Sequence, residues 1–354
     1  MSDDFAISLP HTIEEVDAQW LTSALALRFP GTEVTMVTAG RAIRATGTKV
    51  RLLLEYNDVG HVHRLPPTMW FKSGFEPHSD HVRTSHARES FFYDRIAPLG
   101  LLNAPVGYFG GTDGQGHAVQ LIEDLLARNA SFGSALKPLS VDTVAAALGM
   151  LARFHAHWWR APELAELGPP GGTLESDGIV LRLLSAEAWD RAMARPPAAA
   201  LPAGLRSVGA VHAAMEALWE RDRRSDALCM VHGDPHPGNF FFDADGRPGL
   251  LDWQRLMQCD WAHDVNYFLV SSMTAADAAR HERDLLEGYL LAREAHGVPP
   301  MDRKAAWASY RAHTAYGLVW NVVPPEMQTV AVCDAVAERF NAAFARHDVV
   351  TVLG

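Results

Sequence analysis

The chain has 354 residues, 48% hydrophobic and 21% charged, with a formal net charge of −11. Such a length suits two lobes of unequal size. No apolar run approaches a membrane span, and the acidic balance makes nucleic acid or an anionic membrane an unfavourable partner. Cys229, Cys259 and Cys333 are odd in number and far apart, which fits reduced, incidental thiols in a cytoplasmic protein. The Met-Ser-Asp-Asp start has no basic stretch followed by an apolar one, so no signal peptide is expected.

Thr12 and Glu15 have capping-box spacing, and Ile13, Val16, Trp20, Ala24 and Leu27 fall on one helical face. Residues 33–39 and 48–56 read as strands, the second alternating Val50, Leu52, Leu54 and Tyr56. Residues 67–72 read as a third strand, which ends on Lys72. The following helix places Glu89 on the apolar face that also carries Val82, Phe92, Tyr93 and Ile96. An unpaired buried carboxylate costs several kcal/mol, so Glu89 is expected to pair with Lys72; the alternative is that both snorkel to water.

Residues 106–110 and 118–122 bracket Gly111-Thr112-Asp113-Gly114-Gln115-Gly116, a hairpin signal that runs into Glu123-Asp124-Leu125. Beyond it the pattern turns helical. Ser140 caps a helix whose apolar face carries Val141, Val144, Leu148, Leu151, His155 and Trp158, with His155 read as a satisfied core histidine. Pro/Gly/Ala-rich loops at 161–176 and 195–204 flank a helical segment with Leu181, Leu183, Leu184 and Trp189. Further helices are expected after Asp260, near 275–295, at 302–320 with Tyr316 and Trp320, and at 327–346.

The chemistry concentrates in His232-Gly233-Asp234-Pro235-His236-Pro237-Gly238-Asn239, followed by Asp252-Trp253-Gln254. Phe240-Phe241-Phe242, the turn Asp243-Ala244-Asp245-Gly246 and Gly249-Leu250-Leu251 predict a tight hairpin that brings Asp252 back towards Asn239. An aspartate, an asparagine five residues on and a second aspartate thirteen beyond that are the base and metal-ligand set of a phosphotransferase. Asn239 and Asp252 offer the hard oxygens that Mg²⁺ prefers, and Asp234 is left to orient the attacking hydroxyl. The His-x-Asp-x-His cluster also permits a zinc reading, which needs further ligands. His236 is read as a loop-packing or backbone-bonding residue and His232 as one that pins the loop next to Asp252.

The stretch from Val231 to Gln254 resembles the aminoglycoside/choline-kinase-like phosphotransferases, and its Asp-Trp-Gln ending looks most like their ecdysteroid-kinase-like branch and bacterial relatives. Other pieces follow in family order over roughly residues 35–345. The resemblance implies an α+β, two-lobed protein-kinase-like fold: a small lobe at 1–122 with an antiparallel sheet and a helix, and a mostly helical lobe at 123–354. It implies ATP and Mg²⁺, with Lys72 and Glu89 serving the α- and β-phosphates and Asn239 and Asp252 the metal. Gly47 ends a loop whose position fits one folding over the phosphates or an ordinary hairpin loop, and the resemblance puts the backbone of Glu123 and Leu125 at the adenine-facing hinge. Asp264 resembles a residue that braces the catalytic loop; the alternative is a plain helix-start carboxylate.

The expected activity is transfer of the γ-phosphate to a hydroxyl of a small molecule, such as an apolar alcohol, a steroid or a macrolide. Aminoglycosides are the competing acceptors, weakened by a C-terminal Val349-Val350-Thr351-Val352-Leu353-Gly354 without acids. A nucleotide-binding pseudokinase scaffold and a nucleotidyl transferase are the other readings. The scaffold predicts loss of Lys72, Asp234, Asn239 or Asp252, and all four are present.

Overall fold

A computed structural model describes residues 7–44, 47–76, 79, 83–171 and 178–354. Ala45, Thr46, Val82 and the stretch 172–176 lie outside them, as does the Met-Ser-Asp-Asp start. The chain forms two compact units, residues 1–131 with 251–255, and 132–250 with 256–354. By its contacts the chain divides at 131, and the Asp252-Trp253-Gln254 segment goes with the first unit.

The first unit is built on an antiparallel sheet. Its strands are β1 (Val34–Ala39), β2 (Ile43–Arg44), β3 (Thr48–Tyr56), β4 (Thr68–Ser73), β5 (Gly107–Thr112) and β6 (Ala118–Glu123). They lie in the order β1-β3-β4-β6-β5, with β2 paired to β3. Alternation along β3 sends Val50, Leu52, Leu54 and Tyr56 into the core, where they meet Met69 and Phe71 of β4 and Val119 and Leu121 of β6. Helix α1 (Ala18–Ala26) packs into the same core through Leu21, Ala24 and Leu25.

The expected α1 start needs correction. Thr12 makes no side-chain cap; a short 3-10 turn spans Ile13–Glu15, and the helix proper begins after Asp17, whose carboxylate accepts from Trp20 N at 2.8 Å. The buried face shifts accordingly, leaving Leu27 exposed and Trp20 half-buried. A short helix α2 (Asp58–Val62) is capped by Asn57. Helix α3 (Arg83–Phe91) continues into a π-helical turn at Phe92–Ile96, and its inner face buries Glu89, Phe92, Tyr93 and Ile96.

The second unit is mostly helical. Helix α4 (Val141–His157) starts at Ser140, whose hydroxyl accepts from Thr143 N at 3.2 Å. Val144, Leu148, Leu151, His155 and Trp158 are buried as expected, while Val141 is half-buried. The segment with Leu181 and Trp189 is two short helices, Ile179–Leu183 and Ala186–Met193, because Ser185 caps the second and interrupts the first.

Helices α5 (Val208–Arg223), α6 (Ala262–Ser272), α7 (Ala275–Ala295), α8 (Arg303–His313) and α9 (Val330–His347) complete the unit. The stretch expected to be helical over 302–320 is α8 followed by a fully buried 3-10 segment, Thr314–Asn321. Strand β7 (Ser131–Phe132) falls at the unit boundary. Strands β8 (Leu228–Val231) and β11 (Met257–Asp260) pair antiparallel, placing Cys229 opposite Cys259, and all three thiols are free. Among the described residues no helix is long and apolar enough to cross a membrane.

Candidate active site

In the first unit the sheet register sets Lys72 across from Lys49 on β3 and Gln120 on β6. Because Met69 and Phe71 face the core, Lys72 faces the opposite side, where α3 presents Glu89. The two side chains form an ion pair in which each is 2% exposed, so neither snorkels to water. Burial pushes the Lys72 ammonium down, but the Asp252 and Glu89 carboxylates outweigh it and hold its pKa above the ordinary lysine value. Burial drives the Glu89 carboxyl up against the pull of Lys72.

Asp252 lies with its Oδ1 3.6 Å from Lys72 Nζ and its Oδ2 3.7 Å from Lys49 Nζ. Its backbone is left-handed, with φ of 65°, a conformation that costs a non-glycine residue about 1–3 kcal/mol and persists where the surroundings impose it. The neighbouring Trp253 supplies that constraint, stacking on Phe92 at 3.7 Å and 6°.

Glu123 and Leu125 are held locally. Glu123 N donates to Val106 O at 2.8 Å, and the Glu123 carboxylate accepts from Val106 N and Arg128. Leu125 opens a 3-10 turn capped by Asp124, whose other bonds come from Arg51 and Trp70. At Gly47 a Cβ would lie 2.6 Å from the His86 ring and 3.0 Å from Ser73 O, so close packing requires the glycine there. Arg44 is paired with Glu76.

In the second unit the loop from His232 to Asn239 leaves β8, makes a 3-10 turn at Pro237–Asn239 and enters β9 (Phe240–Phe242), which pairs with β10 (Pro248–Leu250). The hairpin is the expected one, with Phe240 opposite Leu250 and Gly246 at φ of 80°. Asp264 of α6 anchors the loop by accepting His232 N at 2.7 Å and Gly233 N at 2.9 Å. His155 donates Nε2–H to the same carboxylate at 3.2 Å and accepts from the Tyr289 hydroxyl, while His263 donates to Gly233 O at 3.0 Å. Burial alone would raise the Asp264 carboxyl. The hydrogen bond and charge of His155, with His263 and His232, hold it below the usual carboxylate range.

Within the loop, His232 Nδ1 accepts from Asp234 N at 3.2 Å and His236 Nδ1 from Gly238 N at 3.0 Å. Both imidazoles thus bond the backbone, as the sequence reading had it. Among the described residues the one group of three His, Cys, Asp or Glu side chains close enough to share an ion is Asp222, Cys259 and His313, which includes neither loop histidine. The zinc reading gains no support from it.

Asp234 Oδ1 accepts from the Tyr267 hydroxyl at 2.7 Å. Burial and the Asp234 charge push that phenol well above the ordinary tyrosine range, so it keeps its proton. Asn239 Nδ2 donates to Asp234 O at 2.9 Å. With the amide nitrogen so occupied, Oδ1 is the end of Asn239 left to ligate a cation. An amide oxygen is a hard donor of the kind Mg²⁺ takes.

The chain matches the model of a phosphotransferase enzyme family over residues 74–313. It belongs to that family. The match begins just past Lys72 and spans Glu89, Glu123, Leu125, Asp234, Asn239 and Asp252. The chain is thus a kinase-type enzyme, and its sheet-based first unit and helical second unit are the α+β arrangement expected of the kinase-like fold.

No curated protein sequence matches the chain. Among solved structures it is similar to choline kinase LicA from Streptococcus pneumoniae, with 15% identity, TM-score 0.48, and coverage of 86% of this chain and 94% of that one. It is also similar to the spectinomycin phosphotransferase APH(9)-Ia in complex with ADP and spectinomycin, with 12% identity, TM-score 0.48, and coverage of 93% and 98%. A third is the aminoglycoside phosphotransferase APH(3'')-Id from Streptomyces rimosus, with 15% identity, TM-score 0.45, and coverage of 79% and 92%.

The sequence reading missed Lys49, Tyr267 and His263. Lys49 carried a weak signal, a charged residue on a strand two positions from a glycine-containing loop. Tyr267 carried none, being one apolar position among many in α6.

Proposed function

We propose that this enzyme transfers the γ-phosphoryl group of ATP to a hydroxyl of a small, largely apolar molecule, with Mg²⁺ as cofactor. The acceptor oxygen bonds to the γ-phosphorus as the bond from that phosphorus to the bridging oxygen breaks. ADP leaves, and the hydroxyl proton passes to Asp234 and on to solvent. In this reading Lys72, held by Glu89, meets α- and β-phosphate oxygens, and the backbone of Glu123 and Leu125 meets the adenine edge. The Gly47 loop lies over the phosphates. Asn239 and Asp252 hold the Mg²⁺, which when bound supplies positive charge against the charge that develops in transfer.

The observation that carries the reading is the sealed Lys72–Glu89 pair beside a left-handed Asp252. A buried ion pair contributes little to stability against an apolar substitute, and a strained aspartate contributes nothing, so the pair and the strain together point to use. Lys72, Asp234, Asn239 and Asp252, of which a scaffold is expected to lose at least one, are all present, which favours the enzyme reading. For the acceptor, the Asp-Trp-Gln ending and the rings around Asp234 support an apolar hydroxyl compound of the kind taken by the ecdysteroid-kinase-like branch. Trp320 meets His236 edge-on at 5.3 Å, and Tyr316 meets Tyr267 at 5.3 Å.

Thermal shift with a non-hydrolysable ATP analogue and Mg²⁺, followed by hydroxylated steroids, macrolides, aminoglycosides and choline, tests this. A ligand at 100 times its Kd stabilises the native state by about 2.7 kcal/mol. The expected result is Mg²⁺-dependent stabilisation by the analogue, a further shift with an apolar alcohol, and ADP release with the same alcohol. Failure of the analogue to stabilise the protein with Mg²⁺ sinks the proposal.

A further inference from the structure

A short hydrogen-bond relay within the second unit ends on Asp234. Trp320 Nε1 lies 2.8 Å from the Tyr267 hydroxyl, which lies 2.7 Å from Asp234 Oδ1. Its direction is fixed by chemistry, because an indole N–H only donates and an ionised carboxylate only accepts. The tyrosine hydroxyl therefore receives from Trp320 and gives its one proton to Asp234.

Both aromatic residues are buried, Tyr267 at 4% and Trp320 at 5% exposure. The Tyr267 ring is packed by Tyr316 at 5.3 Å and Phe340 at 5.8 Å, so it is fixed before any ligand arrives. Asp234, by contrast, sits on a loop with its side chain one-third exposed. Core packing alone would be met by phenylalanine. The hydroxyl has a partner on each side and one use, to hold Oδ1 and leave Oδ2, 3.4 Å from Asn239 Nδ2, as the reactive oxygen.

We propose that Tyr267, oriented as a donor by Trp320, is a positioning residue that aims Asp234 Oδ2 at the acceptor hydroxyl. The inference rests on the role given to Asp234 above. It assigns work to a helix α6 residue and to a residue outside the span of the family match.

The test uses the full chain labelled with ¹⁵N at tryptophan, with the Trp320 indole signal identified by its loss in Trp320→Phe. Tyr267→Phe and Asp234→Asn should each displace that signal in ligand-free protein, the second because the Tyr267 hydroxyl links the carboxylate to the indole. A signal that neither variant moves overturns the relay.

ADP release from Mg·ATP, with water and then an alcohol acceptor, gives the catalytic readout. Misplacement of a reacting group by about 1 Å costs on the order of 100-fold, so Tyr267→Phe should lower kcat by roughly 10- to 100-fold. KM for ATP and acceptor should stay close to the parent values. The Tyr267→Phe/Trp320→Phe double variant should be no slower than Tyr267→Phe, since Trp320 acts through the same hydroxyl. Parental kcat in Tyr267→Phe, or a loss confined to KM, overturns the proposal. Asp234→Ala separates the two readings. If it keeps turnover, the role of Asp234 fails; if it loses turnover while Tyr267→Phe does not, only the positioning role fails.

Discussion

At the scale of single residues, the two aspartates of the motif stand in different surroundings. Asp234 accepts hydrogen bonds from Tyr267 and Asn239, whereas Asp252 faces the ammonium groups of Lys72 and Lys49. In the proposed reading the first meets a hydroxyl and the second a metal ion. Replacing Asp234 with alanine should leave Mg·ATP affinity near the parent value by calorimetry while turnover falls by roughly two to four orders of magnitude. Replacing Asp252 with alanine should weaken nucleotide binding in the presence of Mg²⁺, and equal affinities in variant and parent would remove it from the metal shell. The motif spacing announced both carboxylates. It was silent on Lys49 and Tyr267, which reach them from residues far away in the chain.

At the scale of elements, helix α6 fixes the loop from His232 to Asn239 through one carboxylate. Asp264 accepts two consecutive backbone N–H groups, and a buried donor left without a partner costs about 1–3 kcal/mol. Asp264→Ala should therefore lower stability in urea by at least one such increment and speed hydrogen exchange at His232 and Gly233. Unchanged exchange there would show that the loop is held by something else. The hairpin β9–β10 and the cap at Ser140 were legible because turn residues and alternation are local signals. The start of α1 was misplaced because two acceptors, Thr12 and Asp17, compete for it, and spacing alone does not rank them.

At the scale of the whole molecule, buried charge makes stability depend on pH. His313 of α8 lies between Ser309 O at 2.8 Å and Asp222 Oδ1 at 3.0 Å, two acceptors that together favour a doubly protonated ring. Burial would lower its pKa, but the charge and hydrogen bond of Asp222 raise it above the ordinary histidine value. A raised folded pKa stabilises fully below the unfolded value of about 6.5, and the contribution is lost as pH rises through the folded value. The stability difference between the parent and His313→Gln should thus be largest in mild acid and shrink in alkali, as read by denaturant titration across pH. Asp222→Asn, which leaves a buried charge without its partner, should cost about 3–5 kcal/mol below pH 6.5.

The amino-acid sequence by itself determined the elements and the chemistry of the motif. Strand alternation, turn residues and the Asp234–Asn239–Asp252 spacing act over a few residues, where covalent geometry leaves little choice. Tertiary structure alone decided which partners complete each group. Tyr267 and Trp320 stand 33 and 86 residues beyond Asp234 in the sequence, and His155 stands 109 residues before Asp264. Side chains so distant along the chain meet only when helices pack. Periodicity shows which face of a helix is buried, and packing shows what that face touches.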